Sequence, residues 1–311
     1  MDGDRAAMVA GRAARRRPAL ARVTAAALAL AALAPAALLA GGPARVVSMN
    51  LCTDELALLL AAPGQLVSVS ALARDPRLSA VADRAAAFPV NHGHAEEVFL
   101  LHPDLVLAGS FGGPPVAMLQ RLGVPVMTLD PPRSIEDVRQ AMLAVGAALG
   151  RQQAAAAMLS DFDARLARLS RPPAARAPAP DAPSPDAPSP DALPPDGPVA
   201  ASWGANGYTA GADTLPGDLM RAAGFSPLAE RLGMTGSGSI PLEMLVLAQP
   251  ALIVTGTRYP RASRAEEIAV HPVLERMRAR RLAVPDAEWT CAVPQVADAL
   301  GRLAGAAKEA R

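Results

Sequence analysis

Few side chains in this sequence are equipped for chemistry, and they are widely spaced. His92 and His94 stand two residues apart, and the only cysteines are Cys52 and Cys291. As ligands of a transition-metal ion the histidines would need partners such as Cys52 or Glu288. The remaining histidines, His102 and His271, fall in a helix-to-strand turn and just before Pro272, and read as surface structure. In an oxidising compartment the two cysteines could form one disulfide; free thiols or soft metal ligands are equally compatible with their spacing. Aromatic residues make up 3% of the chain, and the two tryptophans are Trp203 and Trp289. Such flat, amphipathic rings suit a planar ligand, or ordinary packing. Arg258 and Arg261 would pair with anionic groups or remain solvated surface charges. No nucleophile elbow, phosphate loop, dinucleotide fingerprint or zinc-protease histidine pair is present, so the expectation is a protein that is not an enzyme and needs no cofactor or metal of its own.

The elements that must position these residues alternate between strand and helix. Arg45–Met49 reads as a strand, followed by a helix opened by Thr53 with Asp54 and Glu55 in its first turn. Gln65–Ser70 reads as a second strand, and Ala71–Gly93 as an irregular stretch. Ala95–Ser110 (AEEVFLLHPDLVLAGS) is a short helix running into a wholly apolar strand, the pattern of a buried parallel sheet. A helix near Pro115–Leu122 and a strand near Val124–Leu129 follow. Ser134 caps the next helix, and Arg151–Ser170 carries Met158, Leu159, Phe162, Leu166 and Leu169 on one face. After residue 198 the pattern restarts, with a strand at Val199–Trp203, a helix at Leu215–Ala223, a strand at Leu282–Val284 and a closing helix at Val293–Glu309. Gly236–Gly238 reads as a flexible loop. Leu242–Thr257 (LEMLVLAQPALIVTGT) echoes Ala95–Ser110 at one constant offset without a gap: Glu96 falls on Glu243, Pro103 on Pro250 and Gly109 on Gly256.

These boundaries predict two α/β lobes with parallel sheets, joined by a long helix. Residues 1–44 form a leader, 45–150 the first lobe, 151–171 the bridging helix and 199–311 the second lobe. Between them, residues 172–198 are rich in proline with an aspartate every five residues, a composition that cannot build a core. The leader has arginines at 12, 15, 16, 17 and 22, an apolar run over Ala25–Ala40 and small residues after it. That is the pattern of a secretory signal peptide, so the expectation is an exported protein. A net charge of +1 does not point to nucleic acid.

Several of these segments resemble one family. Arg45–Leu60 (RVVSMNLCTDELALLL) is similar to the opening segment of the periplasmic binding proteins for vitamin B12 and ferric siderophores, and Glu96–Ala108 (EEVFLLHPDLVLA) resembles their signature before the P-D-L-V strand. The likeness continues through Leu122–Leu129, the helix after Ser134, Val199–Gly211 and Glu243–Thr257. It implies ligand capture in a cleft between two lobes and delivery to the permease dimer of an ABC importer. Family members dock through one surface glutamate on each lobe; by position these are Glu96 and Glu243. A two-fold partner would meet a duplicated motif twice. Taken alone, each glutamate is also what a helix N-terminus favours.

The cleft should be lined by loops at the C-terminal ends of strands. Those loops are Asn50–Cys52, Val90–His94, Ser110–Gly113, Trp203–Tyr208, Arg258–Tyr259 and Glu288–Cys291. The candidate ligand contacts are therefore Asn50, Cys52, Asn91, His92, Trp203, Tyr208, Arg258, Glu288 and Trp289. Trp289 matches an aspartate–tryptophan pair of the vitamin B12 binders, with Glu288 here in place of the aspartate. A Cys52–Cys291 disulfide would tie the lobes together. The resemblance favours a monomer carrying a corrinoid, ferric siderophore or haem. A binder of free zinc or manganese, and an exported enzyme or sensor on the same scaffold, are the alternatives.

Overall fold

A computed structural model describes residues 42–169, 197–257 and 263–309. Residues 1–41 of the leader, most of the proline-rich segment, Arg258 and Arg261 lie outside the described residues. The first sheet contains β1 (Val46–Ser48), β2 (Leu66–Ser70), β3 (Val90–Asn91), β4 (Leu105–Gly109) and β5 (Val126–Leu129), in the order β3-β2-β1-β4-β5. In the second half lie β6 (Val199–Ser202), β7 (Tyr208–Thr209), β8 (Ser226–Pro227), β9 (Gly238–Ser239), β10 (Leu252–Thr255) and β11 (Arg280–Ala283). Four of these make the second sheet, ordered β11-β10-β6-β8, while β7 and β9 pair antiparallel on their own. Every pairing in the two main sheets is parallel. Val106, Leu107 and Ala108 of β4 are fully buried, which is why this strand is apolar throughout rather than alternating. The α/β class with parallel sheets is thus the observed one.

The echo in the sequence is an echo in topology. The neighbour order β5-β4-β1-β2 in the first sheet is repeated as β11-β10-β6-β8 in the second. Register is repeated as well: Val46, Val47 and Ser48 pair with Leu105, Val106 and Leu107, and Ala200, Ala201 and Ser202 pair with Leu252, Ile253 and Val254. The turn before each inner strand is also shared. His102 and Gln249 both take the left-handed conformation (φ 48° and 41°) directly before Pro103 and Pro250. A proline disfavours right-handed helix in the residue before it, so the helix must end there.

The helices that frame the sheets are α1 (Leu51–Leu60), α2 (Ala95–Phe99), α3 (Gly113–Arg121), α4 (Ile135–Ala148), α5 (Gln152–Leu169), α6 (Leu215–Ala222), α7 (Leu242–Ala248), α8 (Asp286–Trp289) and α9 (Val296–Glu309). Ala155, Phe162 and Leu166 of α5 are buried, with Met158, Leu159 and Leu169 packed beside them. One continuous apolar core runs from Val46 and Leu107 of the first sheet through Val145, Phe162 and Leu166 to Val254, Leu300 and Leu303. Polar links reinforce it. Arg165 donates to Asp298 at 2.6 Å and to the Pro294 carbonyl at 3.2 Å, and the Ile135 amide donates to the Asp218 carboxylate at 2.9 Å. Cys52 and Cys291 form a disulfide with an S–S distance of 2.04 Å, joining the start of α1 to the segment between α8 and α9.

Three local expectations are corrected. The α1 helix opens at Leu51 with Asn50 as its cap, not at Thr53; the Asn50 carboxamide accepts from the Cys52 amide at 3.0 Å. Thr53 turns inward instead and shares a 2.8 Å hydroxyl bond with Ser48. Asp54 and Glu55, beside it, are buried as well. Second, Ala71–Gly93 is not simply irregular: it holds a 3-10 turn at Ala71–Arg74, a helical turn at Ala82–Ala85 and β3. Third, Gly238 is strand rather than loop, because it pairs with Thr209. Elsewhere the element ends move by a few residues, as at the closing helix, which starts at Val296.

Candidate functional site

A cavity of 670 Å³ opens where the C-terminal ends of β4, β5, β6 and β10 converge. The first half contributes Phe111 and the run Asp130–Arg133, which leave β4 and β5. The second half contributes most of the wall: Trp203–Ala205 after β6, Tyr208, Asp213–Pro216 at the start of α6, Thr255–Thr257 after β10, Ala269, Val270, Asp286 and Trp289. A smaller cavity of 170 Å³ shares Phe111, Asp130 and Pro131 with it and reaches Asn50 and Cys52. The two are parts of one cleft between the halves, at the edge where open α/β sheets place their ligands.

Glycines at equivalent places keep the two strand ends low. A Cβ on Gly109 would come within 2.9 Å of the Asn50 amide nitrogen, and one on Gly256 within 2.4 Å of the Asp286 carboxylate. Each strand therefore ends beneath a polar side chain that belongs to the cleft wall. Asp286 is held by the Thr257 amide at 3.3 Å, and its own amide donates to the Thr257 hydroxyl at 3.0 Å.

The aromatic side chains divide into packed and presented ones. Trp203 is 1% exposed and its indole N–H donates to the Ile268 carbonyl at 3.3 Å, so it braces the wall from behind. Trp289 is nearly buried and lines the cavity. Phe111 and Tyr208, at 86% and 53% exposure, are the rings presented to an incoming molecule, one from each half. Asp130, Asp213, Glu266 and Asp286 add carboxylates and Arg133 a guanidinium. The cleft can therefore stack a flat apolar body and meet polar groups at its rim.

The other candidate residues lie elsewhere. Asn91 is fully buried, donating to the Ser48 carbonyl at 2.8 Å and the Ser68 hydroxyl at 2.9 Å, and it lines neither cavity. His92 is on the surface, with its ring 3.2 Å from Glu97. The His92 backbone amide donates to the same carboxylate and, with the ring, holds its pKa below the usual range. Glu288 is turned away from the cleft into a two-bond pair with Arg302 of α9, both bonds at 2.8 Å. Both cysteines are committed to the disulfide, which removes them as thiolate ligands. Among the described residues no group of three or more histidines, cysteines and carboxylates is placed to hold an ion. Glu96 and Glu243 are solvent-exposed near the opposite ends of the sheets, just ahead of β4 and β10. Sequence reasoning missed Asp130–Arg133, Asp213 and Asp286. The strand-end rule would have found the first of these had it been applied to β5 as it was to β4.

Behind the smaller cavity α1 carries two buried acids. Asp54 accepts from the Ser70 hydroxyl and, at 3.1 Å, from the Ser70 amide. Burial, outweighing these bonds, pushes its pKa up to about 6. Glu55 accepts from the Ala80 amide at 2.7 Å, and burial pushes it up to about 7. Its second oxygen has no hydrogen-bond partner among the described residues.

The fold and cleft define a two-lobed α/β protein with a helical connection. Comparison with known proteins agrees. Residues 46–183 match the family model described as periplasmic binding protein. A periplasmic heme-binding protein from Roseiflexus superposes with a TM-score of 0.65 at 22% identity, over 86% of this chain and 99% of that one. The periplasmic vitamin B12 binding protein of Vibrio cholerae gives 0.62 at 17% identity, over 86% and 98%. An ABC-type Fe3+-hydroxamate transport protein from Saccharomonospora viridis gives 0.63 at 18%, over 86% and 93%. At these identities the likeness speaks for the fold. No curated protein matches the sequence. Residues 46–183 thus resemble the periplasmic binding proteins, and the described chain shares the two-lobed fold of these solved structures.

Proposed function

We propose that the chain captures a metal-bearing macrocycle or chelate, a corrinoid, haem or ferric siderophore, in the cleft and delivers it to an ABC permease dimer. The carrying observation is the 670 Å³ cavity with Phe111 and Tyr208 presented to it from opposite halves. Its size is that of a pocket for an organic molecule, about 300–1,000 Å³, and far larger than an ion needs. Export by the N-terminal leader belongs to the same reading, as does docking through Glu96 and Glu243. Neither glutamate has an ion-pair partner among the described residues, whereas neighbouring Glu97 is held by His92. Lobe motion is small, because α5, the continuous core and the disulfide all resist separation.

A thermal-shift panel of cobalamin, cobinamide, haem, ferric siderophores and divalent metals tests the ligand class. One of the organic ligands should raise the melting temperature, and bare divalent ions should not. A shift with zinc or manganese alone would overturn the reading in favour of an ion binder. For docking, charge reversal of Glu96 and Glu243 together should abolish transport and leave ligand affinity intact.

A further inference from the structure

We propose that docking uses a two-part contact on each lobe, an acidic group and an apolar knob one helical turn beyond it, the knobs being Leu100 and Leu247. This inference rests on the docking reading and adds its apolar half. Among the described large apolar side chains, the three most exposed are Phe111 in the cleft, Leu247 at 78% and Leu100 at 72%. A single exposed leucine carries no information. Two at equivalent places in a duplicated unit do. Leu100 stands to Glu96 as Leu247 stands to Glu243, four residues on, and the offset is the one that maps Pro103 onto Pro250. Four residues is the spacing that brings helical side chains onto one face.

The rest of each unit explains why these leucines are not core. Val98 and Leu245, the equivalent inward positions, are fully buried, so the apolar requirement of each helix is already met. His102 and Gln249 then take the left-handed turn that starts β4 and β10. Each glutamate–leucine patch thus sits at the N-terminal end of an equivalent strand, away from the cleft. The flanks are not duplicated: Phe99 corresponds to Val246, and Glu97 to Met244. Among the exposed positions of the two helices only the glutamate and the leucine are identical in both copies, as a contact with a two-fold partner requires. The partner is therefore a permease dimer that offers, on each subunit, a cation beside an apolar pocket. The acid supplies steering and the leucine a contact that salt does not screen.

The test is the affinity of the ligand-loaded protein for its permease–ATPase complex in lipid nanodiscs, measured over a range of salt. Leu100→Ser and Leu247→Ser should each weaken association about tenfold, the scale of losing one buried leucine. The double variant should lose more, with an unchanged salt slope and unchanged ligand affinity. Leu72→Ser, at an exposed leucine outside the repeat, should bind as the parent does. The milder Leu100→Ala and Leu247→Ala pair, with melting temperatures alongside, guards against a folding defect. If Glu96→Lys with Glu243→Lys abolishes association while the double leucine variants bind normally, the apolar half is wrong and the docking reading stands. If the glutamate variants bind normally and the leucine variants do not, the acidic reading fails and the knobs remain. Normal binding by both sets overturns both.

Discussion

The two halves share strand order and register but differ immediately after their first strand. In the first half α1 begins at Leu51, three residues past Ser48, and its side chains fill the space above the sheet. In the second half, the helix after β6 does not start until Leu215, and Trp203–Thr214 wanders through a 3-10 turn and the small β7–β9 pair. The main cavity is lined chiefly by that second stretch. The repeated units share the scaffold and the exposed glutamate–leucine helices, while the unequal segment leaves space for the main cavity. The first half instead buries two acids, Asp54 and Glu55, in the helix that follows its first strand.

The strongest way to disturb this pairing is to cut the covalent link between the halves. Replacing both Cys52 and Cys291 by serine, or reducing them, should lower unfolding free energy by about 2–5 kcal/mol in denaturant titrations. An unchanged midpoint would mean that the helical connection and the shared core suffice.

Next comes the acidic interior of the first half. The folded pKa values of Asp54 and Glu55, about 6 and about 7, lie above their ordinary values of 3.8 and 4.5. The folded state therefore holds protons that the unfolded chain has released. Their contribution is complete below about pH 4, is lost as pH rises through 6 to 7, and is level above that. For Glu55 the loss is of order 3 kcal/mol. Stability at pH 5 should exceed that at pH 8, and Glu55→Gln should flatten the profile. A flat parent profile would contradict the assignment.

The equivalent glycines offer a finer comparison. Gly256→Ala meets the Asp286 carboxylate and should cost about 1–3 kcal/mol, with ligand affinity falling too. Gly109→Ala meets the movable end of Asn50 at a longer distance and should cost less. Equal penalties would show that the two strand ends are packed alike after all. The smallest effect is expected from the presented rings. Phe111→Ala should weaken ligand binding about tenfold, or roughly 1.4 kcal/mol, without lowering the melting temperature of the unliganded protein.

Much of the fold was legible because burial leaves a pattern in the sequence. The apolar strand at Leu105–Gly109, its echo at Leu252–Thr255 and the one-sided helix through Phe162 all announced themselves. Capping was less legible. Asn50 and Thr53 are both good caps, and only the buried Ser48–Thr53 hydroxyl bond decides between them. The candidate site was read least completely. Loop membership pointed toward Tyr208 and Trp289, but the same rule drew in Asn91 and Glu288, whose side chains bond elsewhere.

The sequence by itself determined the alternation of elements, the duplicated helix–strand unit and the matching glutamates, since these depend on periodicity and local turn chemistry. Only the tertiary structure decided which rings reach the cleft, that Cys52 and Cys291 join, and that Asp54 and Glu55 are interior. Those outcomes depend on distances between residues remote in the chain, and such distances are set by how the sheets and helices pack together.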